Sequence, residues 1–259
     1  VLAGAGSIVA AEKGEAVIFM GHSFFAPIAR ALPELTEAAG IDGHQQWIFF
    51  AGGAGGSPGR LWDNRRLVPQ IRETLQSEEI DLVGMTFYPN ELGGQSDVAD
   101  YGRWIDLTLE RSPQASFFIG APWPQFPLEY SDGEYQALFD TLLAEIHRII
   151  DELRRDYPRT EIFCIPYGQA MIDLREIFQT DGIETVDALV DTPSGIYVDE
   201  RGHAGRLFTD ELGPLVWLSA IYGVSPSLSN RPSRYPGVEL PSIVRSVLAT
   251  DAEYARRLR

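Results

Sequence analysis

Ser23 closes the apolar run Val17-Ile18-Phe19-Met20 through the turn Gly21-His22-Ser23. A serine hydroxyl is a weak nucleophile until a base accepts its proton and an acid orients that base. The chain has four histidines, which makes the search for a base short. His22 adjoins Ser23, so its side chain should point away from the hydroxyl. His44 opens the second apolar run, the wrong end of a strand for a partner of Ser23. His147 lies within a long helical pattern. His203 is left, in the polar stretch Asp199-Glu200-Arg201-Gly202-His203. Either Asp199 or Glu200 could orient it. Attack on an ester carbonyl also needs donors aimed at the developing oxyanion. The Ser23 amide, the Gly56 amide and the Asn90 side chain are the candidates. Glycine at 56 lets backbone approach a substrate closely.

These residues must be held by a common scaffold. Five apolar runs, residues 16–20, 47–51, 82–87, 116–120 and 161–166, read as strands. They are mostly continuous rather than alternating, as in strands buried on both faces. Helical patterns separate them at 27–39, 60–76, 98–111 and 134–157, and continue at 204–222 and 241–259. The clearest is 134–157: Leu138, Leu142, Ile146, Ile149 and Leu153 form an apolar stripe. It follows the cap-type residues Ser131-Asp132-Gly133 and stops at Pro158. Alternating strands and helices predict an α/β three-layer sandwich, with a central, mainly parallel five-stranded sheet. Ligands of such sheets bind beyond the carboxyl ends of the strands. Ser23, Gly56 and Asn90 follow the first, second and third runs and so share that edge.

With those positions in hand, the chain resembles the SGNH-type (GDSL-like) hydrolases. Gly21-His22-Ser23 stands where that family has Gly-Asp-Ser. Ala51-Gly52-Gly53-Ala54-Gly55-Gly56 keeps both glycines of its Asn-x-Gly-x-x-Gly block, with Gly56 at the oxyanion glycine. Residues 81–91 follow its strand-to-Gly-x-Asn-Asp block, with Tyr88 for the glycine, Asn90 matching and Glu91 for the aspartate. The final Asp-x-x-His block is off by one: Glu200 lies three residues before His203 and Asp199 four. Spacing favours Glu200 and residue type favours Asp199; we take Asp199, with Gly202 absorbing the extra residue. The resemblance covers residues 16–223 and implies a flavodoxin-like sheet. It implies a serine esterase acting through an acyl-enzyme, with no metal or organic cofactor. A small-molecule or carbohydrate ester is the implied substrate, and an acetylated carbohydrate comes first. Trp62, Tyr88, Trp104, Trp123, Phe126 and Tyr130 supply aromatic material near the site loops, and the proline-stiffened loop 122–127 is the expected pocket wall.

An inactive ligand-binding module on the same fold is the main alternative. A nucleotide or flavin binder would use the glycine-rich 52–59 as a phosphate loop, but that segment lacks the Gly-Lys-Ser/Thr ending. The formal net charge is -16, which argues against nucleic acid or an anionic membrane as partner. No run is long enough for a membrane span. Cys164 is the only cysteine, so no intrachain disulfide can form. It reads as a core thiol, and the histidines and cysteine have no zinc-type spacing. Residues 1–15 read as an N-terminal arm or signal remnant, since Val9-Ala10-Ala11 fits the tail of a secretion signal. A secreted or periplasmic location is favoured on that ground over a cytoplasmic one. Residues 16–223 form the hydrolase-like domain, and 224–259 an extension packing on it. The oligomeric state is not legible.

Overall fold

The structure, a computed structural model, describes residues 13–191, 194–226, 235 and 237–257. The expected N-terminal arm lies almost wholly outside them, as does most of the Ser/Pro-rich stretch 225–236. Five parallel strands form one sheet: β1 (Ala16–Gly21), β2 (Gln45–Phe50), β3 (Leu82–Thr86), β4 (Ser116–Gly120) and β5 (Ile162–Ile165). Their spatial order is β2-β1-β3-β4-β5. The α/β architecture expected from the alternating pattern is therefore present. The chain leaves β1 towards β2 on one side and returns to β3 on the other. The crevice beyond the ends of β1 and β3 is thus the switch point at which open parallel sheets bind ligands.

β3, β4 and β5 are buried throughout, and β1 in all but its first residue. β2 departs from the expectation of strands buried on both faces. It is an edge strand, it starts with Gln45 and Gln46, and Phe50 is exposed beneath the Arg30 guanidinium. The other edge, β5, is covered differently. The amide of Cys164 donates to the carbonyl of Tyr254 at 2.8 Å. The C-terminal segment thereby caps an edge that would otherwise offer unpaired backbone groups.

Helices pack on the sheet: α1 (Ala26–Ala38), α2 (Pro58–Trp62), α3 (Val68–Ser77), α4 (Val98–Leu109), α5 (Asp132–Asp156), α6 (Tyr167–Asp181), α7 (Gly213–Tyr222) and α8 (Leu240–Thr250). α5 starts as its cap residues require. Ser131 and Glu134 form a reciprocal capping box, with the Ser131 amide donating to Glu134 Oε2 at 2.9 Å. α7 places Trp217 against Phe19, Phe25 and Phe118, an aromatic cluster that joins helix to sheet.

Three helical expectations change, and one helix is added. The pattern over 60–76 is two helices, because the Asn64 side chain accepts the amides of Arg66 and Leu67 and turns the chain there. The pattern over 204–222 contains a wide turn, Phe208–Leu212, that ends two residues before Pro214. Proline has no N–H for the normal ladder, which accounts for the wider winding. The terminal helix stops at Thr250 instead of running on to 259, and the chain turns to meet β5. α6 has no counterpart in the sequence pattern: no side chain caps its start, and its apolar residues make no clean stripe.

Candidate active site

β1 delivers Ser23 to the carboxyl edge of the sheet. Gly21 ends the strand and the carbonyl of His22 accepts the amides of Phe25 and Ala26, which turns the chain into α1. Ser23 sits half-buried on that turn. The Ser23 hydroxyl lies 2.8 Å from Nε2 of His203. Nδ1 of the same ring lies 2.7 Å from Oδ2 of Asp199. An ionised carboxylate only accepts, so Nδ1 carries the ring proton and Nε2 presents its lone pair to the serine. The geometry thus brings together three residues drawn from the two ends of the chain.

A hairpin sets which of the two acids reaches the His203 ring. The amide of Val198 donates to the carbonyl of His203 at 2.8 Å, and that of Gly205 to Ile196 at 2.7 Å. The turn between them closes through the Gly202 amide on the Asp199 carbonyl, 3.0 Å. Gly202 has φ +90°, a conformation open to glycine, so it takes up the extra residue. In this register Asp199 grips His203 twice, with Oδ2 on the ring and Oδ1 accepting the His203 amide at 3.1 Å. Burial acts to raise the Asp199 pKa, but the hydrogen bonds from the His203 ring and amide outweigh it and hold the carboxyl below its usual range. Glu200 is exposed.

His22 is buried, and its ring is fully engaged beneath the turn. Nδ1 accepts the amide of Phe24 at 3.1 Å. Nε2 therefore holds the proton, and it faces the Phe87 carbonyl and the Thr86 hydroxyl, each at 3.1 Å. Burial pulls its pKa down to about 4, against a smaller upward effect of the Phe87 carbonyl, and the nearby His203 ring adds a lesser downward one. His22 is thus a neutral brace between β1 and β3. His44 lies at the amino end of β2, bonded to the Tyr222 hydroxyl at 2.7 Å.

Gly56 ends the tight turn Gly53–Gly56 after β2. A Cβ there would lie 2.6 Å from the backbone of Gly21 and His22, so only glycine lets this turn press against the segment that carries Ser23. Asn90 follows β3 and is exposed. Its carbonyl oxygen accepts the Ser96 amide at 3.0 Å, and its nitrogen donates to Asp97 at 2.8 Å. An amide nitrogen carries two hydrogens, and the bond to Asp97 uses one of them.

The aromatics divide in a way their sequence positions do not reveal. Trp104 is in the core, donating to the Pro58 carbonyl at 2.9 Å. Tyr88 and Trp123 are also buried, so half of the six expected pocket aromatics serve packing. Trp123 also anchors the hairpin, since its indole N–H donates to the carbonyl of Gly202 at 2.7 Å. Phe24 stacks on Trp123 at 4.7 Å and meets the His203 ring edge-on at 5.2 Å. Phe126 is exposed, with φ +59°, and its amide donates to Arg201 at 3.2 Å. A bulky residue in that conformation is uncommon and strained. The loop 122–127 therefore braces the hairpin of His203 from the side. A cavity of about 1130 Å³ opens at the opposite edge of the sheet, between Lys13, Asp81, Arg154 and Arg256, and contains none of these residues.

No family model and no curated protein matches the sequence. Solved structures do resemble the fold. A DUF4886 family protein from Bacteroides uniformis is 15% identical, with 94% of this chain and 96% of that chain aligned at a TM-score of 0.60. The fold is the one that the SGNH-type resemblance implies. Looser likenesses include a member of the lipolytic G-D-S-L family from Veillonella parvula. It is 13% identical, with a TM-score of 0.47 over 80% of this chain and 98% of that one. A carbohydrate acetylesterase from Sinorhizobium meliloti is 14% identical, with a TM-score of 0.43 over 78% of this chain and 96% of that one. Identities this low bear on architecture alone. Among the described residues no helix is long and apolar enough to cross a membrane.

Proposed function

We propose that this protein hydrolyses a carboxylic ester through an acyl-enzyme formed on Ser23. The observation that carries the reading is the hydrogen-bonded chain from Asp199 through His203 to Ser23, at 2.7 and 2.8 Å. In the first half-reaction Ser23 Oγ attacks the carbonyl carbon as His203 Nε2 takes its proton. The carbonyl electrons move onto oxygen, where the amides of Ser23 and Gly56 and the free hydrogen of Asn90 receive the charge. The tetrahedral intermediate then collapses. The ester C–O bond breaks, and His203 returns the proton to the departing alcohol. In the second half, water attacks the acyl group while His203 removes its proton, and the Ser23 hydroxyl is regenerated with release of the acid. Asp199 stays ionised throughout and stabilises the imidazolium. The protein's own residues supply every proton transfer in this scheme.

For the substrate, an acetylated carbohydrate is the first to test. Phe126 supports this choice, since it is an exposed aromatic on the loop that braces the hairpin of His203. The function is tested with a panel of p-nitrophenyl esters of increasing acyl length, using wild type and Ser23→Ala. Turnover by the wild type and its loss in a folded mutant are expected. No turnover by wild type on any ester of the panel would leave a binding module on this fold.

A further inference from the structure

Three side chains with metal-ligating atoms converge at the covered edge of the sheet, away from the nucleophile's turn. His147 comes from the middle of α5, Cys164 from β5, and Asp251 from the residue that ends α8. Their ligand atoms all lie within 4.8 Å of one another. Cys164 and Asp251 are buried, at 2% and 7% exposure. His147 Nε2 stands 2.9 Å from Asp251 Oδ1. Yet Nε2 is out of line for a hydrogen bond, and the donor that faces the Asp251 carboxylate is the weak thiol of Cys164, too poorly placed to satisfy Oδ2. A buried carboxylate oxygen served by no strong donor is costly, by about 1–3 kcal/mol or more for a charged group. A cation among the three atoms would satisfy it.

We infer that His147, Cys164 and Asp251 form a binding site for a divalent cation of the zinc class. The donor set is one sulfur, one imidazole nitrogen and one carboxylate oxygen. Thiolate and imidazole together select zinc over magnesium or calcium, which prefer all-oxygen shells. The ion displaces the thiol proton on binding. Its role follows from where the ligands sit. Each belongs to a different element, so the ion would clip the C-terminal helix and the long α5 to the edge strand. The same edge already holds the Tyr254 carbonyl on the Cys164 amide, and the Tyr254 ring stacks on His147 at 3.7 Å. No sequence motif announces the site, because the ligands are 17 and 87 residues apart (147 to 164, 164 to 251). It does not depend on the ester chemistry.

The test uses tag-free, full-length protein stripped with a chelator and titrated with cobalt(II). Cys164 is the chain's only cysteine, so a thiolate-to-cobalt charge-transfer band in the near ultraviolet can report no other residue. The band should appear, saturate at one equivalent, and be displaced by zinc. It should vanish in Cys164→Ser. In Asp251→Asn, cobalt affinity should drop by at least about tenfold, as expected when a ligand rather than an outer partner is lost. Zinc should also raise the unfolding temperature of wild type but not of Cys164→Ser. Absence of the band in folded wild-type protein overturns the site. So does cobalt binding left unchanged by Cys164→Ser.

Discussion

Trp123 donates its indole N–H to the carbonyl of Gly202, 2.7 Å away, one residue before His203. The bond fixes the turn from which the imidazole reaches Ser23, and Phe24 fills the space between the two rings. Trp123→Phe keeps most of the packing and removes the donor. A single neutral hydrogen bond contributes about 0.5–1.5 kcal/mol net. The expected result is a fall in kcat of roughly three- to tenfold with KM little changed, because the turn that aims His203 loosens. Steady-state kinetics on a p-nitrophenyl ester would read it. A raised KM at full kcat would make Trp123 part of a substrate wall instead.

The two acids of the hairpin should separate cleanly. Asp199→Asn removes the acceptor that sets the His203 tautomer, and kcat near neutral pH should drop by about 10²–10⁴-fold. The lower half of that range is the more natural expectation, because the Asp199 side chain is 45% exposed and solvent screens it. Glu200→Gln should stay within a few-fold of wild type. The opposite ranking in paired kinetic measurements would transfer the role to Glu200.

Asn90 donates to Asp97 with one hydrogen and keeps the other. Asn90→Ala should therefore lower kcat by about 10²–10³-fold, the usual cost of losing an oxyanion donor, with a small effect on KM. Asn90→Ala at full kcat with a raised KM would mark Asn90 as a ground-state contact.

His22 gives a pH signature in stability. Burial holds its pKa near 4 in the folded protein, against 6.5 when unfolded. Since the folded value is depressed, the unfolded chain binds the proton first as pH falls. The contribution of the neutral ring is complete above about pH 6.5, fades as pH drops towards 4, and is gone below it. The loss amounts to roughly 3 kcal/mol across that window. His22→Asn retains an acceptor for the Phe24 amide and has no group titrating there. Urea unfolding at pH 7 and pH 4.5 should show wild type losing distinctly more stability than the mutant. Equal losses would contradict a neutral buried His22.

Much of this is legible in the sequence alone, and the reasons are physical. Parallel strands buried on both faces leave long apolar runs, and a turn directly after such a run places its residues at the carboxyl edge. Ser23, Gly56 and Asn90 are readable on that basis. His203 is readable because the chain has few histidines. The choice of Asp199 is harder, since it depends on the hairpin register that lets one carboxylate take both the ring and the amide of His203. α6 is invisible because no side chain caps its start and its buried residues do not repeat cleanly. The aromatics cannot be sorted into wall and core from order alone. Trp104 and Trp123 look alike in sequence, yet one supports α2 and the other the turn before His203. The His147, Cys164 and Asp251 cluster is a product of tertiary packing and has no local trace.

An acyl-enzyme requires an activated hydroxyl at Ser23. The most direct measurement is intact-mass and peptide-level spectrometry after brief exposure to a fluorophosphonate, which forms a stable adduct only with an activated serine. One adduct per chain is expected, located on Ser23, absent in Ser23→Ala and much slower to form in Asp199→Asn. An unmodified Ser23 in folded protein, or an adduct on a different serine, would contradict it.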